Sequence, residues 1–146
     1  MKINASDADV RIAVATPEAL ADAQRFYDDC GYGGAAIVPE DTVVIARHAR
    51  GIIAIVRLCH EGGLLCLRGM QVHPEYRRQG IGTQLLRTLE RAIGERSCYC
   101  LPYSHLVEFY AQAGFAVLAA DELPELLQER LAHNRRRGLD VIAMRR

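Results

Sequence analysis

The sequence predicts one domain of mixed α/β class. Three observations support this prediction: a length of 146 residues, three β-rich runs joined by short glycine turns, and later segments with helical spacing of apolar residues. The length fits a single domain over residues 1–146. The composition, 50% hydrophobic and 25% charged, is typical of a globular chain and excludes wholesale disorder.

The first half of the chain is predicted to be mainly strands. Residues 10–15 alternate between apolar and polar side chains, as a strand does. Thr16 and Pro17 then make a favourable helix start, with Thr16 as N-cap, and this helix is expected to stop near Gly31. An antiparallel meander of three strands, separated by glycine turns, is predicted over residues 42–47, 52–58 and 64–72.

Helical spacing dominates the chain from Gly82 onward. There the apolar side chains of one predicted helix recur every three or four residues, at Leu85, Leu86, Leu89 and Ile93. Two further helices are predicted, from an N-cap at Ser104 to Gly114 and over residues 123–134. Short strands complete the pattern over residues 98–101, 115–118 and 139–144.

The charge balance excludes several classes of partner. Lys and Arg total 18 and Asp and Glu total 18, so the chain presents no electrostatic footprint for nucleic acid or an anionic lipid surface. No apolar run approaches the roughly 18–20 residues of a membrane span. Residues 1–7 lack the apolar core of a signal peptide. We therefore expect a cytoplasmic domain without membrane or nucleic-acid partners.

The five cysteines are interpreted as small buried hydrophobic residues in a reducing compartment. Their number is odd, no CxxC pair is present, and most of them lie inside apolar stretches. Cys98 and Cys100 are expected to point to the same face of a strand, without the geometry of a zinc site. No metal is predicted at any of Cys30, Cys59, Cys66, Cys98 and Cys100.

The sharpest local feature is a glycine loop that joins a predicted strand to an amphipathic helix. Gly80 and Gly82 allow backbone conformations closed to other residues and let a ligand approach the main chain. The loop amides and the helix N-terminus together predict an anion cradle, to which Arg77 and Arg78 add positive charge.

Two common nucleotide-binding patterns do not fit this loop. A Rossmann fingerprint needs a third glycine where Leu85 stands, and a Walker loop needs a lysine, whereas Lys2 is the only lysine of the chain. The loop instead resembles the acetyl-CoA motif of the GNAT N-acetyltransferases, Arg/Gln-x-x-Gly-x-Gly/Ala. Residues 109–115 resemble the same family's (F/Y)-Y-x-x-x-G-F segment, and the order of the two motifs also agrees.

This resemblance covers nearly the whole chain and implies a fold and a function. The fold is a mixed, mainly antiparallel sheet of six to seven strands, splayed in the middle at a β-bulge near Gly69, with helices on both faces. The function is transfer of an acetyl group from acetyl-CoA to a primary amine, directly in a ternary complex. A small metabolite or amino acid is the preferred acceptor; a peptide or protein amine comes next. A non-catalytic acyl-CoA-binding sensor is the alternative class.

The resemblance also implies which residues bind acetyl-CoA. Met70, Gln71 and Val72 lie along the pantetheine and offer main-chain hydrogen bonds, one of which polarises the acetyl carbonyl. The backbone amides that hold the pyrophosphate belong to Arg77, Arg78, Gln79, Gly80, Ile81, Gly82 and Thr83.

Tyr110 matches the position from which a tyrosine of the family protonates the leaving thiolate. An unperturbed phenol is mostly protonated at neutral pH and can supply that proton. Tyr110 also shares a helical stripe with Leu106, Phe109 and Ala113, so a purely structural aromatic residue is the alternative interpretation.

Other parts of the site are less determined. Tyr103 stands where many members carry a cofactor-contacting asparagine, and Ser104 or the Tyr103 hydroxyl is the candidate replacement. His105 leads the candidates for a general base because it follows the strand end nearest the expected cleft. Glu61, His48 and His73 are also eligible as the base. Deprotonation by water, without any protein base, is the alternative.

The arginine run at residues 135–137 has two interpretations. A solvated helix end is preferred, and an anion-binding rim is the alternative. In the family this region often helps to form the acceptor pocket or a dimer contact. A homodimer is therefore left open beside the small-molecule amine as a partner.

Overall fold

A computed structural model of the protein describes residues 9–146; the signal-peptide prediction concerns residues 1–7 and lies outside this range. Its sheet has seven strands. They are β1 Arg11–Val14, β2 Thr42–His48, β3 Gly51–Glu61, β4 Leu64–Val72, β5 Tyr99–Cys100, β6 Ala116–Val117 and β7 Met144–Arg145. The spatial order is β1-β2-β3-β4-β5-β7-β6, and only the β4–β5 pair is parallel among these strands. The predicted mixed, mainly antiparallel sheet is confirmed.

Four α-helices accompany the sheet in the described part of the chain. They are α1 Leu20–Asp29, α2 Ile81–Ile93, α3 Val107–Ala111 and α4 Glu125–Arg136. A short 3₁₀ turn precedes each of them, at Pro17–Ala19, Pro74–Tyr76, Ser104–Leu106 and Ala120–Glu122. Thr16 stands at the first N-cap, but its side chain makes no capping hydrogen bond.

The helices cover both faces of the sheet, as predicted. Side chains of a strand alternate between faces, so Leu65 and Cys66 of β4 point to opposite sides. Leu65 packs in one cluster with Leu85 of α2 and Tyr110 of α3. Cys66 packs with Leu127 of α4. Helix α1 packs against Val43, Ile45 and Ile55 in a third cluster.

The sheet splays where β4 meets β5. These two strands pair only at Cys66 and Tyr99. On the other edge of β4, Arg57 of β3 pairs with Arg68 and Ile55 pairs with Gln71, so the register shifts by a β-bulge at the intervening residues. Gly69 lies in this bulge with a φ of 69°, a conformation that favours glycine. The predicted bulge and splay are confirmed.

The C-terminal strands are shorter than predicted. Strand β7 contains only Met144 and Arg145, and the preceding segment reaches its neighbours through single hydrogen bonds, including Ser104 N–H to Asp140 O and Ile142 N–H to Pro102 O. Pro102 has no amide proton and cannot continue a ladder. Alternation of apolar residues over 139–144 therefore reflects burial rather than a regular strand.

Candidate active site

A cavity of about 510 Å³ lies at the gap between β4 and β5. On one side of the sheet its lining includes Leu106 and Tyr110, which belong to the cluster around α2. On the opposite side it includes Leu127 of α4. The cavity therefore connects the two faces of the sheet through the splay.

Strand β4 forms one wall of this cavity. Met70 and Gln71 are part of the lining, as expected for residues beside a bound pantetheine. Among the described strands, β5 pairs with β4 only at Cys66. The edge of β4 beyond Cys66 therefore turns main-chain groups toward the gap. Val72 lies past the cavity, and its carbonyl accepts a hydrogen bond from Arg77 Nε at 3.2 Å.

The glycine loop lies just beyond this wall, ahead of α2. Arg78 and Gly80 have left-handed φ values of 62° and 78°, which turn the chain sharply before the helix. The first amides of a helix have no acceptor one turn back, and here they belong to Ile81, Gly82 and Thr83. This geometry offers several N–H donors and the positive end of the α2 dipole to an anion.

Gly82 does not use the backbone freedom that glycine allows. Gly82 lies in the first turn of α2 and has no positive φ. A Cβ atom there would lie 3.4 Å from Phe109 Cζ and 4.0 Å from Val72 Cγ2. Gly82 therefore matters for close approach, whereas Gly80 matters for the turn.

Tyr110 is buried and lines the cavity. Its ring packs edge-on against Phe109, with centroids 5.0 Å apart, and against Phe115 at 6.2 Å. Burial raises the pKa of the Tyr110 phenol above its ordinary value, and the neighbouring Cys100 adds to this shift. The phenol is therefore protonated at neutral pH. Tyr110 is a core aromatic residue that lines the cavity, and its role as a proton donor stays a prediction.

The three candidate histidines do not line the cavity. His105 is exposed and stacks on Tyr103, with ring centroids 5.9 Å apart. His48 Nδ1 lies 2.8 Å from Tyr76 Oη, and His73 Nδ1 accepts the Glu75 N–H at 3.1 Å. The role of His105 as a base stays a prediction, without support from its position.

Glu61 is also unsuited to be a base. Its carboxylate pairs with Arg68 at 2.9 Å and with Arg130 at 2.5 Å. Burial raises the pKa of Glu61, but the hydrogen bond from Arg130 and the charge of Arg68 outweigh burial and lower it below its ordinary value. A carboxylate held in this way accepts a further proton poorly.

The structure places Ser104 away from its predicted cap position. Tyr103 occupies the N-cap, Ser104 begins the 3₁₀ turn, and Ser104 Oγ donates to Asp140 Oδ2 at 2.6 Å. Tyr103, rather than Ser104, is part of the cavity lining. Of the two candidates for the missing asparagine, the Tyr103 hydroxyl has the better position.

The cysteines were predicted to be buried, and four of them are. Cys30 is exposed, because it lies just past the last turn of α1, and it lines the cavity. Cys98 and Cys100 pack in the same cluster, as expected from their spacing. Burial raises the pKa of Cys66 to about 12, and it also raises that of Cys100. Both are neutral thiols, which disfavours transfer of the acetyl group through a covalent acetyl-cysteine.

Sequence reasoning missed the charged and polar side chains that line the cavity. Arg68, Arg130, Asn134 and Arg137 all line the cavity. In the predicted arginine run all three residues are exposed, Arg135 donates to the Val141 carbonyl, and only Arg137 is part of the cavity lining. The helical spacing of residues 130, 134 and 137 is the sequence signal that could have placed them on one face of the predicted helix.

A buried arginine holds the loop that closes the cavity beside α1. Gly31, Tyr32, Gly33 and Gly34 of this loop are part of the lining. Arg57 is 1% exposed and donates to the Ala35 carbonyl and to Asp41 Oδ2, the latter at 3.0 Å. Its guanidinium also lies 5.3 Å from the Tyr27 ring centroid and 5.8 Å from that of Tyr32.

The described residues contain no candidate metal cluster and no candidate membrane-spanning helix. Within residues 9–146 no three His, Cys, Asp or Glu side chains are grouped as a metal site would require. Over the same range, the helices are too short or too polar to span a bilayer. The predicted cytoplasmic location stays a prediction.

The splayed sheet and the glycine loop ahead of α2 define the N-acetyltransferase class of fold. Residues 39–117, more than half of the chain, match the sequence profile described as acetyltransferase (GNAT) domain. The chain therefore belongs to the GNAT family and is an acyltransferase. A search of curated protein sequences found no significant match.

Solved structures agree with this fold. A GNAT-family acetyltransferase from Staphylococcus aureus is 15% identical, with a TM-score of 0.63, over 94% of this chain and 98% of that one. An acyl-CoA N-acyltransferase from Pseudomonas aeruginosa is 17% identical, with a TM-score of 0.67, over 94% and 99%. N-acetylglutamate synthase from Neisseria gonorrhoeae, solved with coenzyme A and N-acetyl-glutamate, is 22% identical with a TM-score of 0.64. That match covers 97% of this chain but only 36% of the synthase.

Proposed function

We propose that the protein transfers the acetyl group of acetyl-CoA to the primary amine of a small molecule, directly in a ternary complex. The main support is the cavity that crosses the sheet between β4 and β5, with Tyr110 toward one face and the α4 side chains toward the other. Two substrates entering from opposite faces would meet in the gap. A volume of about 510 Å³ suits a small acceptor.

In this proposal the glycine loop binds the pyrophosphate. The amides of residues 81–83 and the dipole of α2 attract the anion, and the side chains of Arg77 and Arg78 add positive charge nearby. Met70, Gln71 and Val72 orient the pantetheine through main-chain groups along β4. Acetyl-CoA supplies an activated acyl group as a thioester.

Tyr110 is proposed to protonate the departing thiolate. Burial raises the pKa of the phenol, so its proton is in place at neutral pH and the O–H can hydrogen-bond to the sulfur atom as the C–S bond breaks. The amine must lose a proton, and the four candidate bases lie outside the cavity lining. In this proposal the amine therefore loses its proton to water or binds in its neutral form.

Calorimetric titration with acetyl-CoA tests the binding step. We expect a micromolar Kd for the parent protein and at least a tenfold weaker one for Gly82→Leu, because a leucine side chain, whose Cβ already contacts Phe109, would crowd the loop amides. Arg91→Leu, an exposed change farther along α2, is the control and should leave the Kd unchanged. Absence of binding to a folded parent protein would contradict the proposal.

The alternative is a sensor that binds acyl-CoA without turnover. Tyr103 in place of the usual asparagine favours it. Tyr110→Phe separates the two functions: in an enzyme kcat falls about a hundredfold, a typical lower limit for loss of a general acid, while the Kd for acetyl-CoA is retained. A folded Tyr110→Phe variant with the turnover of the parent would show that Tyr110 is only structural.

A further inference from the structure

The charged side chains that line the cavity all have the same sign. Arg68, Arg130 and Arg137 contribute three guanidinium groups, and none of the lining residues, all within the described range, is Asp or Glu. A cationic acceptor, such as a polyamine, would meet only like charge here. The lining therefore selects against polycationic amines before any specific contact is considered.

The carboxylate nearest to these arginines does not neutralise them. Glu61 pairs with both Arg68 and Arg130, so two positive charges share one negative charge, and the exposed Arg137 adds a third positive charge to the lining. The side chains of Arg68 and Arg130 are only 26% and 25% exposed. Two partly buried guanidinium groups that share one carboxylate keep an excess of positive charge and further N–H donors, so binding of an anion there is favourable.

Glu61 also fixes the direction of two of these groups. By accepting Nη1 of Arg68 and Nη1 of Arg130 on separate oxygens, it ties β4 to α4. Arg130, Asn134 and Arg137 follow each other at intervals of four and three residues, so one face of α4 presents them together. Arg130 and Arg137 are about 10 Å apart along the helix axis. This stripe extends the positive surface toward the C-terminal end of α4.

We propose that the acceptor is an amine that also carries a carboxylate, which binds the arginine stripe of α4 while the amine points toward the gap between β4 and β5. An amino acid satisfies both requirements. This inference rests on the proposed acetyltransferase function. Arg137 is its most specific element, because Arg68 and Arg130 already share Glu61, and guanidinium groups bind carboxylates through paired hydrogen bonds.

The test compares amino acids with their matching C-terminal amides. Each L-amino acid and its amide is offered at saturating acetyl-CoA, and release of free CoA is measured against a blank without acceptor. We expect kcat/KM for the preferred amino acid to exceed that for its amide at least tenfold. Arg137→Gln should lower this ratio about tenfold and leave the KM for acetyl-CoA unchanged, and Arg136→Gln, its exposed neighbour, should change neither.

Other outcomes identify which step of the inference fails. An amide acetylated as well as its acid, or acetylation of neither series by a protein that binds acetyl-CoA, would overturn the carboxylate inference alone. A raised KM for acetyl-CoA in Arg137→Gln with an unchanged ratio would assign the arginine to a phosphate of CoA. Failure of the parent protein to bind acetyl-CoA in calorimetry would instead reject the proposed function.

Discussion

The two walls of the cavity are built by different means. The wall along β4, with the glycine loop just beyond it, depends on main-chain conformation: Gly69 lies in a bulge and Gly80 in a left-handed turn. The facing wall depends on side chains, chiefly Arg130 and Arg137 of α4 and the loop that follows α1. Main-chain groups suit a ligand common to a whole family, whereas side chains can change from one acceptor to another.

The side-chain wall needs its own supports because it includes irregular backbone. Arg57 extends from β3 and fastens the loop after α1 through Ala35 and Asp41. Both members of the Arg57–Asp41 pair are almost fully buried, at 1% and 3% exposure of their side chains. A buried pair of this kind stabilises little by itself, but loss of one partner leaves an uncompensated charge.

Removal of Asp41 should therefore have the largest effect on the side-chain wall. Asp41→Ala leaves the Arg57 guanidinium buried without a counter-charge and releases the Val38 N–H that Asp41 accepts. We expect the free energy of unfolding, measured with urea, to fall by about 3–5 kcal/mol. Asp28→Ala, an exposed change on α1, should cost less than about 0.5 kcal/mol. Equal losses of unfolding free energy in the two variants would show that the buried Arg57–Asp41 pair contributes no more to stability than an exposed side chain does.

The main-chain wall was the more predictable of the two. The glycine loop is a short local pattern between a strand and a helix, so its position followed from residues 77–83 alone. The same locality explains the four sheet strands of the first half, whose alternation and glycine turns are regular, whereas the bulge at Gly69 was implied by the family resemblance.

The side-chain wall was not predicted because its members are far apart in sequence. Glu61, Arg68 and Arg130 meet only after α4 packs across β4. Exposure of Cys30 and the irregular backbone over residues 139–143 depend in the same way on tertiary packing. The four candidate bases were chosen by residue type, and type alone does not tell which side chains reach the cavity.

Gly69→Ala tests the main-chain wall. An added Cβ would lie too close to Tyr27 Oη, whose hydroxyl donates to the Gly69 carbonyl at 2.8 Å, and the φ of 69° is unfavourable for alanine. We expect a loss of about 2–4 kcal/mol in the free energy of unfolding. Gly63→Ala is a matched control, because Gly63 has a φ of 80° but open space around its Cα. It should cost about 1–2 kcal/mol, the strain alone; an equal loss in both variants would exclude a role for the Tyr27 contact.

The smallest expected effect on stability concerns Glu61, which links β4 to α4 through its ion pairs with Arg68 and Arg130. The pKa of Glu61 is lower in the folded protein than its ordinary value of 4.5, so folding favours the ionised form. The stabilisation is complete above that value and is lost as pH falls through the lower folded pKa. Wild type should exceed Glu61→Gln in unfolding free energy by about 1 kcal/mol at neutral pH, since the ion pairs are partly exposed.

Urea titrations of the two proteins from about pH 6 down to about pH 3 measure this difference. We expect the advantage of the wild-type protein to shrink steadily below the ordinary pKa of Glu61. The two proteins differ only at residue 61, so the change of their difference with pH reports the ionisation of the Glu61 carboxylate and its ion pairs with Arg68 and Arg130. A difference that stays constant with pH would mean that Glu61 contributes packing rather than charge, and that the arginine wall does not need it for orientation.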